Sequence, residues 1–499
     1  MKRTKTLRTA SLLLVMLLLN VSLAFAQKFT ISGYVTETGS GEPLIGVAVF
    51  SRGTTNGTVT SNTGYYSISL DSGSIELEFS YLGYRTRIET LKLSENQRLN
   101  VTLDEDADLL QGAVVTSTFN NTGVRGTLMS AVEIPVNQIK AIPAIAGEGD
   151  VIKAIQLLPG VQSGTEGTAG IYVRGGGADE NLLLMDGVPL YNVNHLFGFF
   201  SVFNADALKN VTLYKGSFPA RFGGHLSSVI DVRMNDGNEN ELHGNFSVGL
   251  ISSKFNLEGP LVKGRTTFNI SARRTYLDLL AKPALAIVNK DQMSDKYNYE
   301  KVGGGYDFYD INAKITHKLN NGDRISLAVY SGDDNAHVSF EGMDRTSQSI
   351  YDYETQQFYE TGNLEHEFYK SNLGWKWGNF VSALRWSHEL TPKLYLNTSA
   401  SYTQYRSLLS VATKEEEALI VGGQFTDMES MNSPIKYNSL INDISGNGDL
   451  EWHPNVRHDV KFGLSYTDHS FKPGISTIKQ KYTSIDAENN IDSDLKFGD

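Results

Sequence analysis

Apolar and polar residues alternate along several stretches of the C-terminal half of the chain. Within 266–276, Phe268, Ile270 and Ala272 are separated by polar residues. Alternation of this kind places the two sets on opposite faces of a β-strand. It recurs often enough to predict about eight strands in four hairpins. The predicted strands lie within 243–261, 266–276, 309–316, 324–329, 384–386, 394–400, 444–452 and 460–466.

The joins between these strands alternate in length. Short joins are predicted at 262–264, 320–323, 391–393 and 453–457, and long polar joins at 278–305, 333–372 and 409–434. Outer-membrane β-barrels have this asymmetry, with short periplasmic turns and long outer loops. A soluble β-solenoid is the alternative, but the chain has no fixed repeat period. The alternation slips phase near Ile251, which a β-bulge would explain.

The N-terminal half predicts two further folded units. Short alternating runs with glycine-rich turns between 29 and 103 predict a small β-sandwich. The stretch 151–158 has apolar residues at helical spacing before Pro159, and strands are predicted at 211–214 and 228–234. The predicted fold class is therefore mainly β, with an α+β unit between the sandwich and the long strands.

One glycine-rich stretch, "IYVRGGGADENLLLMDGVPLYN" at 171–192, invites comparison with a phosphate-binding loop. Such loops precede a helix and usually carry a lysine for the outer phosphates. In this chain the glycines precede a short β run and then Asp186-Gly187. The stretch predicts tight turns joining two strands, at 171–174 and 182–185.

Composition removes several classes of function. A net charge of −12 argues against nucleic acid as a partner. The absence of cysteine excludes disulfides, zinc–thiolate sites and cysteine nucleophiles. The ten histidines include no H-E-x-x-H pair, and no G-x-S-x-G elbow or Walker loop is present. We expect no enzyme activity, no metal and no cofactor.

The N-terminus carries the features of a secretory signal peptide. Four basic residues precede an apolar run at 12–19, and Ala24-Phe25-Ala26 supplies a cleavage site. Mature protein is expected to begin near Gln27. The later stretch most apolar at helical spacing, 276–288, contains Pro283 and two charges. If the exported chain sits in a membrane, a closed barrel is the remaining way to satisfy its backbone.

Two groups of motifs resemble known families. "SGYVTETGSGEPLIGVAVF", "GTVTSNTGYYSISL" and "LEFSYLGYRT" resemble the carboxypeptidase-regulatory-like, transthyretin-type domain. "GIYVRGGGADENLLLMDGVPLYN" followed by "LKNVTLYKGSFPARFGGHLSSVIDVRM" resembles the plug domain of TonB-dependent outer-membrane receptors, and the order of parts is similar to receptors of the Bacteroidota. The implied organisation is a signal peptide at 1–26, a sandwich at 27–103, a linker at 104–132, a plug at 133–238 and an incomplete barrel at 239–499.

The resemblance also implies site residues. The linker contains a TonB-box-like segment, although its third to fifth residues depart from the acidic residue followed by valine that is typical. The alternative is that this segment is the first strand of the following domain. This segment consists of Leu109, Leu110, Gln111, Gly112, Ala113, Val114, Val115 and Thr116. The plug-motif residues are Arg174, Gly175, Gly176, Gly177, Asp186, Gly187, Gly216, Arg221, Gly223 and Gly224. The candidate substrate-facing residues are Tyr191, Asn192, His195 and Phe199, and packing between plug and barrel is the alternative role for them.

The resemblance implies import of a scarce extracellular nutrient, powered by TonB with ExbB and ExbD. The expected setting is outer-membrane lipid with the sandwich in the periplasm, and a SusD-like surface lipoprotein is a further candidate partner. Arg174 is hypothesised to latch the plug to a barrel-wall carboxylate. Because an eight-stranded barrel has no room for a plug, a longer protein with a 22-stranded barrel is expected. The alternative is a signalling or adhesion receptor that binds its partner through the sandwich.

Overall fold

The computed structural model describes eight stretches of the chain. They are residues 28–106, 131–142, 149–164, 170–292, 295–320, 322–455, 458–485 and 490–497. None of the helices in these stretches has the length and apolarity needed to cross a membrane. Two compact units divide the chain: one joins residues up to 111 with 387–397 and 449–463, and the other contains the remainder.

The N-terminal part of the first unit is a β-sandwich. Its strands are β1 (Lys28–Glu37), β2 (Ala48–Ser51), β3 (Gly57–Val59), β4 (Tyr65–Asp71), β5 (Gly73–Ser80), β6 (Arg87–Leu93), β7 (Gln97–Arg98) and β8 (Val101–Leu103). One sheet has the order β4-β1-β7, with β8 also paired to β1, and the other has the order β3-β2-β5-β6. Ile31 and Ile68 from the first sheet share a core with Leu77 and Phe79 from the second. The predicted sandwich is thus observed.

A compact mixed α/β body begins the second unit. It contains β9 (Ala131–Pro135), α1 (Val136–Ala141), α2 (Val151–Gln156), β10 (Val161–Ser163), β11 (Ile171–Val173), β12 (Asn181–Met185), β13 (Val188–Pro189), β14 (Asn194–His195), β15 (Phe200–Ser201), β16 (Leu208–Tyr214) and β17 (Ser228–Met234). Five of these strands form a sheet in the order β13-β12-β17-β16-β9. Ile139 of α1 and Ile155 of α2 are buried in the same core as Val211 and Val232 of that sheet. We call residues 131–238 the plug body.

Ten strands, hydrogen-bonded to one another in chain order, form the largest sheet. They are β18 (His243–Val248), β19 (Ser252–Val262), β20 (Thr266–Thr275), β21 (Tyr299–Lys318), β22 (Asp323–Asp352), β23 (Gln357–Thr391), β24 (Leu394–Val421), β25 (Gln424–Asn455), β26 (His458–Ile485) and β27 (Asn490–Phe497). The helix α3 (Leu277–Gln292) lies between β20 and β21. We call this sheet the wall.

The wall corrects three details of the sequence prediction. The stretch 243–261 is two strands joined by a tight turn, not one strand with a bulge at Ile251; Gly249 N–H donates to the Ser252 carbonyl at 2.8 Å. The predicted long loops at 333–372 and 409–434 are instead long hairpins, because β22 to β25 continue to turns of only a few residues. With β27 also present, the described sheet has ten strands and not eight.

The wall buries its polar face. In β20 the side chains of Asn269, Ser271 and Thr275 are fully buried, whereas Ile270 is 43% exposed. Ile315 on β21 is exposed to a similar extent, at 46%. This inverts the arrangement of a water-soluble sheet, and it is the pattern expected when one face meets lipid and the other meets a polar interior.

Asp150 holds two parts of the plug body together. One carboxylate oxygen caps α2 by accepting from Ile152 N–H at 2.8 Å and Lys153 N–H at 3.1 Å, and the other accepts from Ser201 N–H at 2.6 Å. We expect Asp150→Ala to lower the free energy of plug unfolding by about 2 kcal/mol, because it removes a cap and leaves a buried N–H without its acceptor. Urea unfolding checks this. Asp150→Asn keeps one acceptor oxygen and should lose clearly less; equal losses would contradict the capping explanation.

Candidate plug–wall site

Gly175, Gly176 and Gly177 form a turn that supplies its own anion. Arg174 and Gly175 have positive φ angles of 50° and 85° at the end of β11. Gly177 N–H then donates to the Glu180 carboxylate at 2.9 Å. A Cβ on Gly176 would lie 2.5 Å from the Cβ of Ser227, so only glycine fits there. With an internal carboxylate on this turn, the structure favours the tight-turn interpretation over a phosphate-binding loop.

The Asp186-Gly187 turn joins β12 to β13 and meets the wall. Both residues have left-handed φ angles, 48° and 77°. The Asp186 carboxylate lies 3.2 Å from Nζ of Lys314 on β21, and its carbonyl accepts from Arg385 of β23 at 2.8 Å. A Cβ on Gly187 would sit 3.0 Å from the same guanidinium. Glycine therefore lets the turn approach Arg385 closely.

Lys314 also pairs with Asp236, at the end of the plug body, at 2.9 Å, and donates to the Met234 carbonyl at 3.1 Å. Burial by itself would raise the pKa of Asp236, but the Lys314 ammonium outweighs burial and lowers it. We call Asp186, Asp236, Lys314 and Arg385 the lower cluster.

His195 is the centre of a second buried cluster. Its Nδ1 lies 2.7 Å from a carboxylate oxygen of Asp334 on β22, and its Nε2 lies 2.9 Å from one of Asp310 on β21. The imidazole stacks on Phe308, with ring centroids 3.9 Å apart. Since both ring nitrogens face carboxylate oxygens, the doubly protonated imidazolium is the form that donates to both. Burial would lower the pKa of His195, but Asp310 and Asp334 outweigh it and raise the pKa to about 9.

Arg273 of β20 completes this cluster. Its guanidinium donates twice to Asp310, at 2.8 and 2.6 Å, and once to the Ser201 carbonyl of the plug body at 2.6 Å. Tyr330 donates to the other Asp310 oxygen at 2.8 Å, and Tyr306 donates to Asp334. His195, Arg273, Asp310 and Asp334 form what we call the upper cluster. In both clusters, buried charge on the plug body meets buried opposite charge on the wall.

The loop around His195 exposes aromatic rings. Leu196 and Phe197 both have left-handed φ angles, 46° and 55°, which are strained for such side chains. Phe197 is 59% exposed and lies 5.8 Å from Trp375 and 5.5 Å from Trp377, centroid to centroid. Trp377 donates to the Asn194 carbonyl at 3.3 Å. The strained backbone thus holds an exposed ring beside two tryptophans of β23.

The structure separates the four candidate substrate-facing residues. Tyr191 and Phe199 are 41% and 46% exposed, and Asn192 is half-buried. Tyr191 donates its hydroxyl to Asp443, while the Asn192 carbonyl accepts from Asn379 at 2.6 Å. His195 is only 1% exposed, which favours packing between plug and wall over a substrate-facing position for this residue. A charged imidazole is retained in the interior because the two wall carboxylates compensate it.

The remaining plug-motif residues lie elsewhere on the plug body. Arg174 is exposed, beside Lys215 and Gly216. Arg221 lies over the Phe222 ring at 4.6 Å, and Gly216 and Gly224 have φ angles near 80°. The TonB-box-like residues 109–116 and the signal peptide fall outside the described residues. The latch between Arg174 and a barrel-wall carboxylate stays a prediction. The plug-body residues that contact the wall in the two clusters include Asp186 and His195.

Sequence reasoning did not single out Arg273, Asp310, Lys314, Asp334 or Arg385. A signal was present for three of them: Arg273, Asp310 and Lys314 are charged residues on the polar face of their strands. A charge on the face that turns away from lipid marks a residue facing the interior. Within the part of the chain that the structure describes, no group of three or more histidine or acidic side chains is arranged to hold a metal ion.

Comparison with known families supports the interpretation of both N-terminal units. The CarboxypepD_reg-like domain matches residues 31–115, and the TonB-dependent Receptor Plug Domain matches residues 127–228. The chain carries a TonB-dependent receptor plug domain after a CarboxypepD_reg-like domain. Both resemblances drawn from the sequence motifs are thereby confirmed, as are the mainly β fold and the outer-membrane localisation.

Relatives extend the same picture. The chain is 28% identical over 227 residues to TonB-dependent receptor SusC of Bacteroides thetaiotaomicron, covering 42% of this chain and 21% of SusC. It is 29% identical over 197 residues to TonB-dependent receptor P26 of Formosa agariphila, covering 37% of this chain and 18% of P26. The match thus spans about a fifth of these relatives' length. Among solved structures, the siderophore receptor PirA from Acinetobacter baumannii aligns over 74% of this chain and 80% of its own, with 10% identity and a TM-score of 0.29.

The upper cluster predicts a pH dependence of plug stability. His195 has a pKa raised from 6.5 to about 9, so its stabilisation is complete below pH 6.5 and is lost as pH rises through 9. We expect the plug body, within the intact chain, to unfold in less urea at pH 10 than at pH 7. In His195→Gln, which has no imidazolium to lose, this alkaline step should be absent. A wild-type midpoint that does not change over this range would contradict the imidazolium assignment.

The lower cluster predicts a large effect of removing its ammonium. Lys314→Met leaves the buried carboxylates of Asp186 and Asp236 without this cation, and should cost on the order of 3 kcal/mol. Hydrogen exchange of residues 186–190 measures the local effect. Lys301→Met, on the same strand at an exposed position, is the matched control and should exchange like the parent. Similar exchange in both variants would contradict a role for Lys314 in holding the turn.

Proposed function

We propose that this chain belongs to an outer-membrane receptor that imports a scarce extracellular nutrient by TonB-driven rearrangement of the plug. The observation that carries the proposal is the pair of buried ionic clusters joining plug body and wall. Each would have to be broken for the plug to move, and separating one buried charged partner typically costs about 3–5 kcal/mol. A displaced arrangement of that free energy is rarely populated without applied work. A pull from the inner membrane supplies such work.

The coupling element is the TonB-box-like segment, residues 109–116. A short β-prone segment can add as a strand to the sheet edge of another protein, which gives a backbone-mediated grip suited to pulling. TonB with ExbB and ExbD is the proposed partner, acting on a sandwich and linker in the periplasm. The likeness to SusC supports a SusD-like surface lipoprotein as a further partner.

The nutrient would contact the plug body at the loop of residues 191–199, which carries exposed aromatic rings and includes His195 of the upper cluster. We call this stretch the aromatic loop. Tyr191, Asn192 and Phe199 keep their proposed substrate-facing role, and Phe197 joins them because it is more exposed than any of the three. His195 takes a different role, since its buried imidazolium holds the base of this loop to the wall. Ligand contact at the loop would therefore be transmitted directly to an ionic contact that must break during transport.

Two equal deletions test the coupling. We expect loss of residues 109–116 from the full receptor to weaken binding of the purified C-terminal domain of TonB at least about tenfold, because the added strand is gone. Deletion of 119–126 shortens the same linker by the same length and should leave binding within about twofold of the parent. Titration calorimetry in detergent measures both. Unchanged TonB binding without 109–116 would contradict TonB-driven transport and favour the signalling or adhesion alternative.

A further inference from the structure

One face of the sandwich is polar by sequence and buried in the structure. Strands β1 and β4 pair antiparallel, with Ser32 opposite Ser67 and Tyr34 opposite Tyr65. These residues alternate with the core residue Ile31, so they point away from the sandwich core. A hydroxyl-bearing outer face of this kind ordinarily meets water. Here the four side chains are between 1% and 6% exposed.

The segment 387–397 covers this face and belongs to the same compact unit. It contains the short turn that joins β23 to β24. Tyr395 is fully buried and stacks on Tyr65, with ring centroids 4.5 Å apart and planes 11° from parallel. The hydroxyls of Tyr395 and Thr63 lie 2.6 Å apart in a buried hydrogen bond. An aromatic pair of this geometry contributes beyond its buried area.

The sandwich hydroxyls also bind the backbone of the turn. The Pro392 carbonyl accepts from Ser67 Oγ at 2.6 Å and from Tyr65 Oη at 3.0 Å. This contact depends on the main chain and on the shape of the turn. It therefore requires a tight turn with a main-chain carbonyl available to accept hydrogen bonds. No unpaired charge is buried at the Pro392 carbonyl.

One ion pair borders the contact. Nη1 of Arg98 lies 2.9 Å from Glu389, whose side chain is only 8% exposed, while Arg98 itself is 35% exposed. Ser32 donates a longer hydrogen bond, 3.4 Å, to the same carboxylate. Arg98 also lies over the Tyr34 ring at 5.6 Å. The guanidinium thus links the covered face to the strand that leads into the turn.

We propose that this face is a docking surface for the β23–β24 turn, and that docking anchors the sandwich to the wall as a second attachment of the chain. The face consists of Ser32, Tyr34, Thr63, Tyr65, Ser67 and Arg98, and we call it the docking face. Apart from the contacts of Arg98, the docking face meets the turn through neutral hydrogen bonds and one aromatic stack. This combination suits a contact that forms and releases. The partner of the sandwich is then a proline-containing β-turn of the same chain, and not a separate soluble protein.

The role of this docking during transport rests on the proposed function. The TonB-box-like segment lies between the sandwich and the plug body along the chain, so a pull applied there loads both of its ends. An undocked sandwich would follow the pull without resistance. A docked sandwich resists it, and the docking face must then hold or release while the plug body is displaced.

Cysteine cross-linking tests the docking directly, since the chain has no cysteine of its own. In the full chain in outer-membrane vesicles, Ser67→Cys with Lys393→Cys should be joined as a disulfide under mild oxidation, because that bond is short enough to form within the buried contact. Ser74→Cys with Lys393→Cys is the matched control, because Ser74 is exposed on β5 in the other sheet, and it should not be joined. Equal yields from the two pairs, with both cysteines reactive to a single maleimide, would overturn the proposal.

Charge reversal tests the specificity of the contact. In the Ser67→Cys, Lys393→Cys background, Arg98→Glu and Glu389→Arg each place like charges together, and each should reduce docking by on the order of tenfold. The double reversal restores an opposite pair and should recover most of the cross-linking rate. Reduced rates that the double reversal does not recover, or rates unchanged in the single variants, would overturn this assignment. Neither measurement involves TonB, so failure here is distinguishable from failure of the transport proposal.

Discussion

Charge buried between the plug body and the wall is the constraint on which the rest of the structure depends. An ionised side chain can leave water only if an opposite charge and further hydrogen bonds compensate it. The wall supplies Arg273, Asp310, Lys314, Asp334 and Arg385, and the plug body supplies Asp186, Asp236 and His195. Because neither set is compensated alone, each side depends on the position of the other.

This requirement explains the backbone of the plug body. Left-handed φ angles at Asp186 and Gly187 form a turn narrow enough to bring the Asp186 carboxylate to Lys314. Left-handed angles at Leu196 and Phe197 follow directly after His195, where the chain reverses above the upper cluster. Backbone strain is therefore found next to the buried ionic contacts, where the surrounding packing is strong enough to hold it.

The same buried charges make it costly to displace the plug body from the wall. Neutral packing between a plug and a wall would let the two slide, but buried ion pairs fix one arrangement and make its loss costly. The aromatic loop lies on one such cluster, so events at the exposed surface and the ionic contacts beneath it are mechanically adjacent. The docking face adds a second attachment built from weaker contacts. In this arrangement the chain on either side of the TonB-box-like segment is held by interactions of different strength.

Much of the fold is determined by local pattern. Period-two alternation identified most wall strands, because strand geometry alone decides which residues share a face. Glycine spacing identified the turns, and motifs identified both N-terminal domains. The alternation pattern gave wrong predictions in two places. The stretch 243–261 reads as one strand because its tight turn carries little polar signal, and the long hairpins read as loops because polar strands resemble polar loops.

Pairing across the chain was decided only by tertiary structure. His195 reads as an exposed apical residue, yet it is buried between carboxylates 115 and 139 residues away. The docking face reads as a solvated sheet surface, yet a turn more than 300 residues later covers it. Sequence determined which surfaces are polar, because that is a property of each residue. Whether a polar surface meets water, lipid or another charged surface depends on what packs against it, and that partner is brought near only by folding.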